Sequence, residues 1–93
     1  MTNDNHAVLR LRSNELTWRE VDGEIIALDL TSSLYFTANR TGTLLWSRLV
    51  DGAHLGELTL LLTEQFDLSD ADARRDVSSF IALLDSHSLL ERH

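Results

Sequence analysis

The chain contains no cysteine, no proline and no lysine, and only four glycines among its 93 residues. Without cysteine there is no disulfide framework, no thiolate chemistry and no cysteine-based zinc site. All eight basic residues are arginines, set against 15 acids, for a formal net charge of −7. An acidic surface repels a phosphate backbone, so nucleic acid is not an expected partner. No apolar run reaches the ~18 residues of a membrane span. The polar start, Met1 to His6, lacks the basic and apolar regions of a secretory signal. A soluble, cytoplasmic domain with neither nucleic acid nor membrane as partner is expected.

What is present suits one small domain. The 43% hydrophobic fraction supports a modest core. Residues 1–14 read as a flexible arm, loose over 1–6, in which Ala7 to Arg12 alternates like a short strand. The folded domain is expected over 15–93.

Leu16 to Val21 and Ile25 to Leu30 flank Asp22-Gly23, a hairpin signal. A three-residue loop, Val21-Asp22-Gly23, would pair Trp18 with Ile26 and Leu16 with Leu28. It would gather Leu16, Trp18, Ile26, Leu28 and Leu30 on one face. A two-residue turn would split them, so the three-residue loop with a glycine bulge is expected. Thr31-Ser32-Ser33 makes a second turn. Leu34 to Ala38 follows as a third strand, with Leu34, Phe36 and Ala38 on one face and Tyr35 and Thr37 on the other.

Three helices follow. The first runs from Arg40 or Thr41 to Val50, capped by Asn39 or Thr41, with Leu45, Trp46, Leu49 and Val50 inward. The second spans 55–66. The third starts at Ser69 and reaches about His87. Leu89 and Leu90 close onto the core. The fold class is α+β, a three-stranded antiparallel meander followed by three helices.

Catalytic or metal-binding constellations are missing. His6, His54, His87 and His93 are scattered. Asp67, Asp70, Asp72 and Asp76 read as acids favoured near a helix start rather than as a calcium loop. The serines form no nucleophile elbow. No enzyme activity, metal or cofactor is expected.

Two features remain. The third strand ends the meander, so it lies at an edge, and Ser33 to Asn39 carries neither charge nor proline to block pairing. Such an edge accepts a peptide as an added strand, unless it is simply short or covered. The third helix carries two stripes. One is Val77, Ile81, Leu84 and His87 or Ser88. The other is Ala73, Asp76, Phe80 and Leu83, which either walls a groove beside the strand or is buried.

The segments Val21-Asp22-Gly23-Glu24, Leu34-Tyr35-Phe36-x-x-Asn39-x-x-Gly42-x-x-x-Trp46, Asp76-Val77-x-x-Phe80-x-x-x-Leu84 and Leu89-Leu90 resemble the PqqD-like family. Its members are recognition elements of ribosomally made, modified peptides. The resemblance runs from about Leu16 to Leu90. It implies a winged-helix-like domain that binds the leader of a precursor peptide between the third strand and third helix. Leu34, Tyr35, Phe36, Thr37 and Ala38 would supply the docking strand. Ala73, Asp76, Val77, Phe80 and Leu83 would line the groove. The resemblance also implies a non-catalytic protein, a monomer when free, that presents its peptide to a leader peptidase and a cyclase. The Tyr-Phe-x-x-Asn-x-x-Gly-x-x-x-Trp pattern is more similar to lasso-peptide systems than to the peptide chaperone of pyrroloquinoline quinone assembly, the alternative. The chain departs from the family in Ala38, where leucine is usual, in Thr43, often a small residue, and in Ser88, usually glycine.

Two other readings stand beside this one. A winged-helix DNA-binding regulator would need a basic recognition helix, yet the third helix opens Ser69-Asp70-Ala71-Asp72. A structural subunit would have its groove filled by another chain.

Overall fold

The structure, a computed structural model, describes residues 7–92; the stretch 1–6, expected to be loose, lies outside them. Asp22 and Gly23 both adopt positive φ, 53° and 79°, and Val21 pairs directly with Glu24. That is the two-residue hairpin turn, which needs positive φ at both central positions. The three-residue loop expected from the apolar pattern is therefore wrong. In strands β2 (Leu16–Val21) and β3 (Glu24–Asp29), Trp18 faces Ala27, not Ile26.

The reason lies in the third strand of the meander, β4 (Leu34–Ala38). The inner face of the sheet is set by Ile25 and Ala27 of β3 with Phe36 and Ala38 of β4, all buried. Strand β2 is the opposite edge, with only Leu16 partly covered. Matching its apolar residues to Ile26 and Leu28 would have turned Trp18 away from this inner face and from Trp46. Leu30, expected inward, is 52% exposed in the following turn.

Helix α1 (Arg40–Asp51) crosses this inner face. Asn39 caps it by accepting the Gly42 N–H at 3.0 Å. Trp46, fully buried, stacks on Phe36 with centroids 5.5 Å apart and meets Trp18 edge-on at 6.0 Å. Val50, expected inward, is exposed. The Thr43 hydroxyl accepts from the Ile25 N–H at 3.0 Å and donates to the Ala38 carbonyl at 3.2 Å. It thus bridges the last rung of the β3–β4 ladder and pins α1 to the sheet.

Helix α2 (Leu55–Phe66) starts with a capping box in which the His54 ring and Glu57 satisfy each other's backbone N–H. Helix α3 (Asp70–Ser86) is capped by Ser69. Ala73, Val77, Ile81 and Leu84 form its buried stripe and pack the core with Leu58 and Leu62 of α2. The chain closes with β5 (Leu90–Arg92), which pairs antiparallel with β1 (Leu9–Leu11) in a second, two-stranded sheet. Leu9, Leu11 and Leu89 are all in the core.

The end of α3 is tied by the double hydrogen bond of a Schellman motif. Leu89 N–H donates to the Leu84 carbonyl and Ser88 N–H to the Asp85 carbonyl, both at 3.0 Å. Ser88 holds the left-handed position at φ 57°. A side chain there costs roughly 1 kcal/mol, which glycine avoids. Ser88→Gly is therefore expected to raise the melting temperature by roughly 4–8 °C. Thermal unfolding by circular dichroism checks it.

Candidate peptide-binding site

In an antiparallel pair, successive residues turn their backbone groups alternately towards and away from a neighbour. The hairpin fixes the phase. Glu24 exchanges hydrogen bonds with Val21, so Ile25, Ala27 and Asp29 turn theirs towards β4, opposite Ala38, Phe36 and Leu34. Tyr35 and Thr37 consequently point their N–H and C=O groups away from the sheet. The strand order β2-β3-β4 leaves that side open. Leu34 and Tyr35 are 53% and 73% exposed.

Beside this edge stands α3. Phe80 and Asp76 are half-buried and Leu83 is 45% exposed. Phe36 forms the floor. Its ring meets Phe80 edge-on at 6.1 Å and His87 at 6.0 Å, while Trp46 supports it from below. Two clefts flank this aromatic floor. One, about 300 Å³, lies past the Ala38 end of the strand, between Asn39, Gly42 and Leu45 on one side and Asp76, Phe80 and Leu83 on the other. The second, about 280 Å³, lies at the Leu34 end, with Arg12, Asp29 and His87.

Gly42 is required for the first cleft. A Cβ there would stand 3.0 Å from the Phe80 ring and 3.1 Å from the Ala38 Cβ. Helix α1 approaches so closely because both Gly42 and Ala38 are small.

The second cleft is polar. Arg12 reaches Asp29 at 2.6 Å and the Ser88 carbonyl at 3.2 Å, joining the residue after β1 to β3 and to the end of α3. Burial pushes the Asp29 carboxyl up, but hydrogen bonds from Ser32, Arg12 and the Thr31 N–H, with the Arg12 charge, outweigh it and hold it below its ordinary value. Asp85 is lowered chiefly by its hydrogen bonds from Arg92, against a smaller opposing effect of burial.

Of the residues expected to line a groove, Asp76, Phe80 and Leu83 come together with Phe36 and Ala38. Ala73 and Val77 do not. They are 0% and 1% exposed and belong to the core stripe of α3. The helical period explains this: Ala73 lies four residues before Val77 and eight before Ile81, so it shares their face. His87, Asn39 and Gly42 were missed. The signal for His87, the C-cap of α3, was its spacing of seven from Phe80. That for Gly42 was a lone glycine early in an apolar helix. A larger cleft, about 670 Å³, opens between α2 and α3 on the face carrying Arg74, Val77 and Ser78. It borders no unpaired strand. Among the described residues no cluster of three or more acids and histidines is placed to hold a metal. Nor, among them, is any helix long and apolar enough to cross a membrane.

A meander whose open β4 edge lies beside one helix, and whose inner face is backed by another, defines a small α+β architecture. The chain belongs to the PqqD family: the model described as coenzyme PQQ synthesis protein D (PqqD) matches residues 24–90. Two solved structures share the fold. One is described as TbiB1 in complex with the TbiA(beta) leader peptide. It matches with a TM-score of 0.80 at 24% identity, over 88% of this chain and 94% of that one. The other is described as lasso peptide synthetase B1 complexed with the leader peptide. Its TM-score is 0.77 at 28% identity, over 89% of this chain and 96% of that one. No curated protein matches at a significant level.

Proposed function

We propose that this chain is a non-catalytic cytoplasmic protein that binds the leader segment of a ribosomally made precursor. The leader adds as a strand to β4, between β4 and α3. The chain then presents the precursor to a leader peptidase in lasso-peptide biosynthesis, with a cyclase acting downstream. The observation that carries the reading is the open backbone of Tyr35 and Thr37 above an aromatic floor. The likeness to a lasso peptide synthetase B1 bound to a leader supports it.

Energetics say what the site must do. Tyr35 and Thr37 offer two N–H and two C=O groups. At roughly 0.5–1.5 kcal/mol net for each bond, backbone pairing yields a few kcal/mol. Association costs on the order of 4–15 kcal/mol. Pairing alone therefore cannot hold a peptide, and side chains must fill the two clefts. The strand gives direction and register; the clefts beside Phe80 and Leu34 give affinity and choice.

Duplex binding finds less support. At the start of α3, Arg74 and Arg75 are engaged by Asp70 and Asp72, so the helix offers no free basic face there.

Calorimetric titration with synthetic leader peptides from short reading frames neighbouring the chain's own tests the proposal. One-to-one binding to a lasso-type leader is expected. A folded protein that binds no such leader, or prefers the leader of a pyrroloquinoline quinone precursor, contradicts it. The variant Gly42→Ala refines the test. Its methyl group must push the Phe80 ring towards the cleft, an overpacking worth roughly 1–3 kcal/mol. The helix propensity of alanine recovers about 1 kcal/mol. Weaker binding is expected, with a net stability loss between zero and about 2 kcal/mol.

A further inference from the structure

The other carboxylates of α3 are neutralised within the chain: Asp70 by Arg74, Asp72 by Arg75 and Asp85 by Arg92. Asp76 alone among them has no ion pair or hydrogen bond to any described residue. It is half-buried and lines the cleft at the Ala38 end of the strand with Gly42, Phe80 and Leu83. The neighbouring start of α1 does not serve it, because the N–H groups of Gly42 and Thr43 and the Thr41 hydroxyl are already spent on Asn39.

A purely apolar side chain seated here would strip water from that carboxylate and give nothing in return. A cation on an apolar stem meets both demands of the cleft. We infer that the peptide residue occupying this cleft is an arginine or lysine, its methylenes lying on Phe80 and Leu83 and its head paired with Asp76. The inference rests on the strand-addition reading and adds the chemistry of one anchor residue. The chain's net charge of −7 favours the same partner sign.

The test uses the intact chain and a displayed library of random dodecapeptides. Selected peptides are expected to align on a single arginine or lysine. Their consensus peptide, made synthetically, should bind Asp76→Asn about tenfold more weakly, a change of about 1.4 kcal/mol. Replacing the aligned residue by glutamine should cost as much in the wild type and nothing further in Asp76→Asn. Wild-type affinity should fall with added salt, and more steeply than that of the variant. Asp76→Glu should keep the cationic preference. Thermal unfolding of each variant confirms that the fold is intact.

Alignment on an apolar or tyrosine residue, or equal affinities of wild type and Asp76→Asn, overturns the inference while leaving strand addition standing. Selection of no peptide, or of peptides indifferent to Thr37→Pro and Phe80→Ala, overturns both.

Discussion

Thr37→Pro is expected to weaken leader binding by at least roughly tenfold while the domain stays folded. The register puts the Thr37 N–H on the open side of β4, where it bonds to nothing in the sheet. Proline is tolerated at an edge strand when its missing N–H would have faced solvent. The folded state therefore loses little. An incoming strand loses one hydrogen bond, worth roughly 0.5–1.5 kcal/mol, and meets the pyrrolidine ring where it should pair. A loss of at least roughly tenfold in affinity follows. Proline at Phe36 is the control. The Phe36 N–H turns inward to β3 opposite Ala27, so that variant should unfold or lose the sheet. Peptide titration beside a melting curve separates the two cases. Unchanged affinity in folded Thr37→Pro would show that the leader does not pair along this edge.

Phe80→Ala should have the larger effect on affinity. The ring is half-buried against Phe36 and lines one cleft. In the free protein its removal opens a surface recess rather than a sealed cavity, so the stability loss falls below that of a core phenylalanine. In the complex the ring would be fully covered. Truncating such an anchor costs roughly 2–4 kcal/mol of binding, or about thirtyfold to several hundredfold in Kd. Calorimetry with one leader peptide reads this directly. An affinity within a factor of two or so of wild type would mean that peptide density lies elsewhere on the chain.

The elements that make the site were largely legible in the sequence. Strand β4 and helix α2 begin and end where the pattern predicts, because Ser32-Ser33, Asn39 and Asp67 mark their limits and each has a clear apolar period. The edge position of β4 followed from its being the last strand of a meander. The hairpin register was not legible. It depended on which face of β3 would be covered, and that is decided by β4 and α1, outside the hairpin itself. The same holds for β1 and β5, whose pairing spans nearly the whole length. No local pattern announces it.

The groove residues divide along the same line. Phe80 and Leu83 were readable as a second apolar stripe. Ala73 was assigned to that stripe, although its spacing to Val77 and Ile81 places it on the buried one. The difference between Asp76 and its paired neighbours is written in the arginine spacing alone. Of Asp70, Asp72 and Asp76, only the first two have an arginine three or four residues ahead to take.

The central claim is that the leader becomes a fourth strand of the sheet. Amide hydrogen exchange followed residue by residue, with and without a binding leader peptide, tests it most directly. The Tyr35 and Thr37 amides should exchange fast in the free protein and slow markedly in the complex, while those of Phe36 and Ile26 should change little. Protection that spares Tyr35 and Thr37 and gathers on the face between α2 and α3 would contradict it.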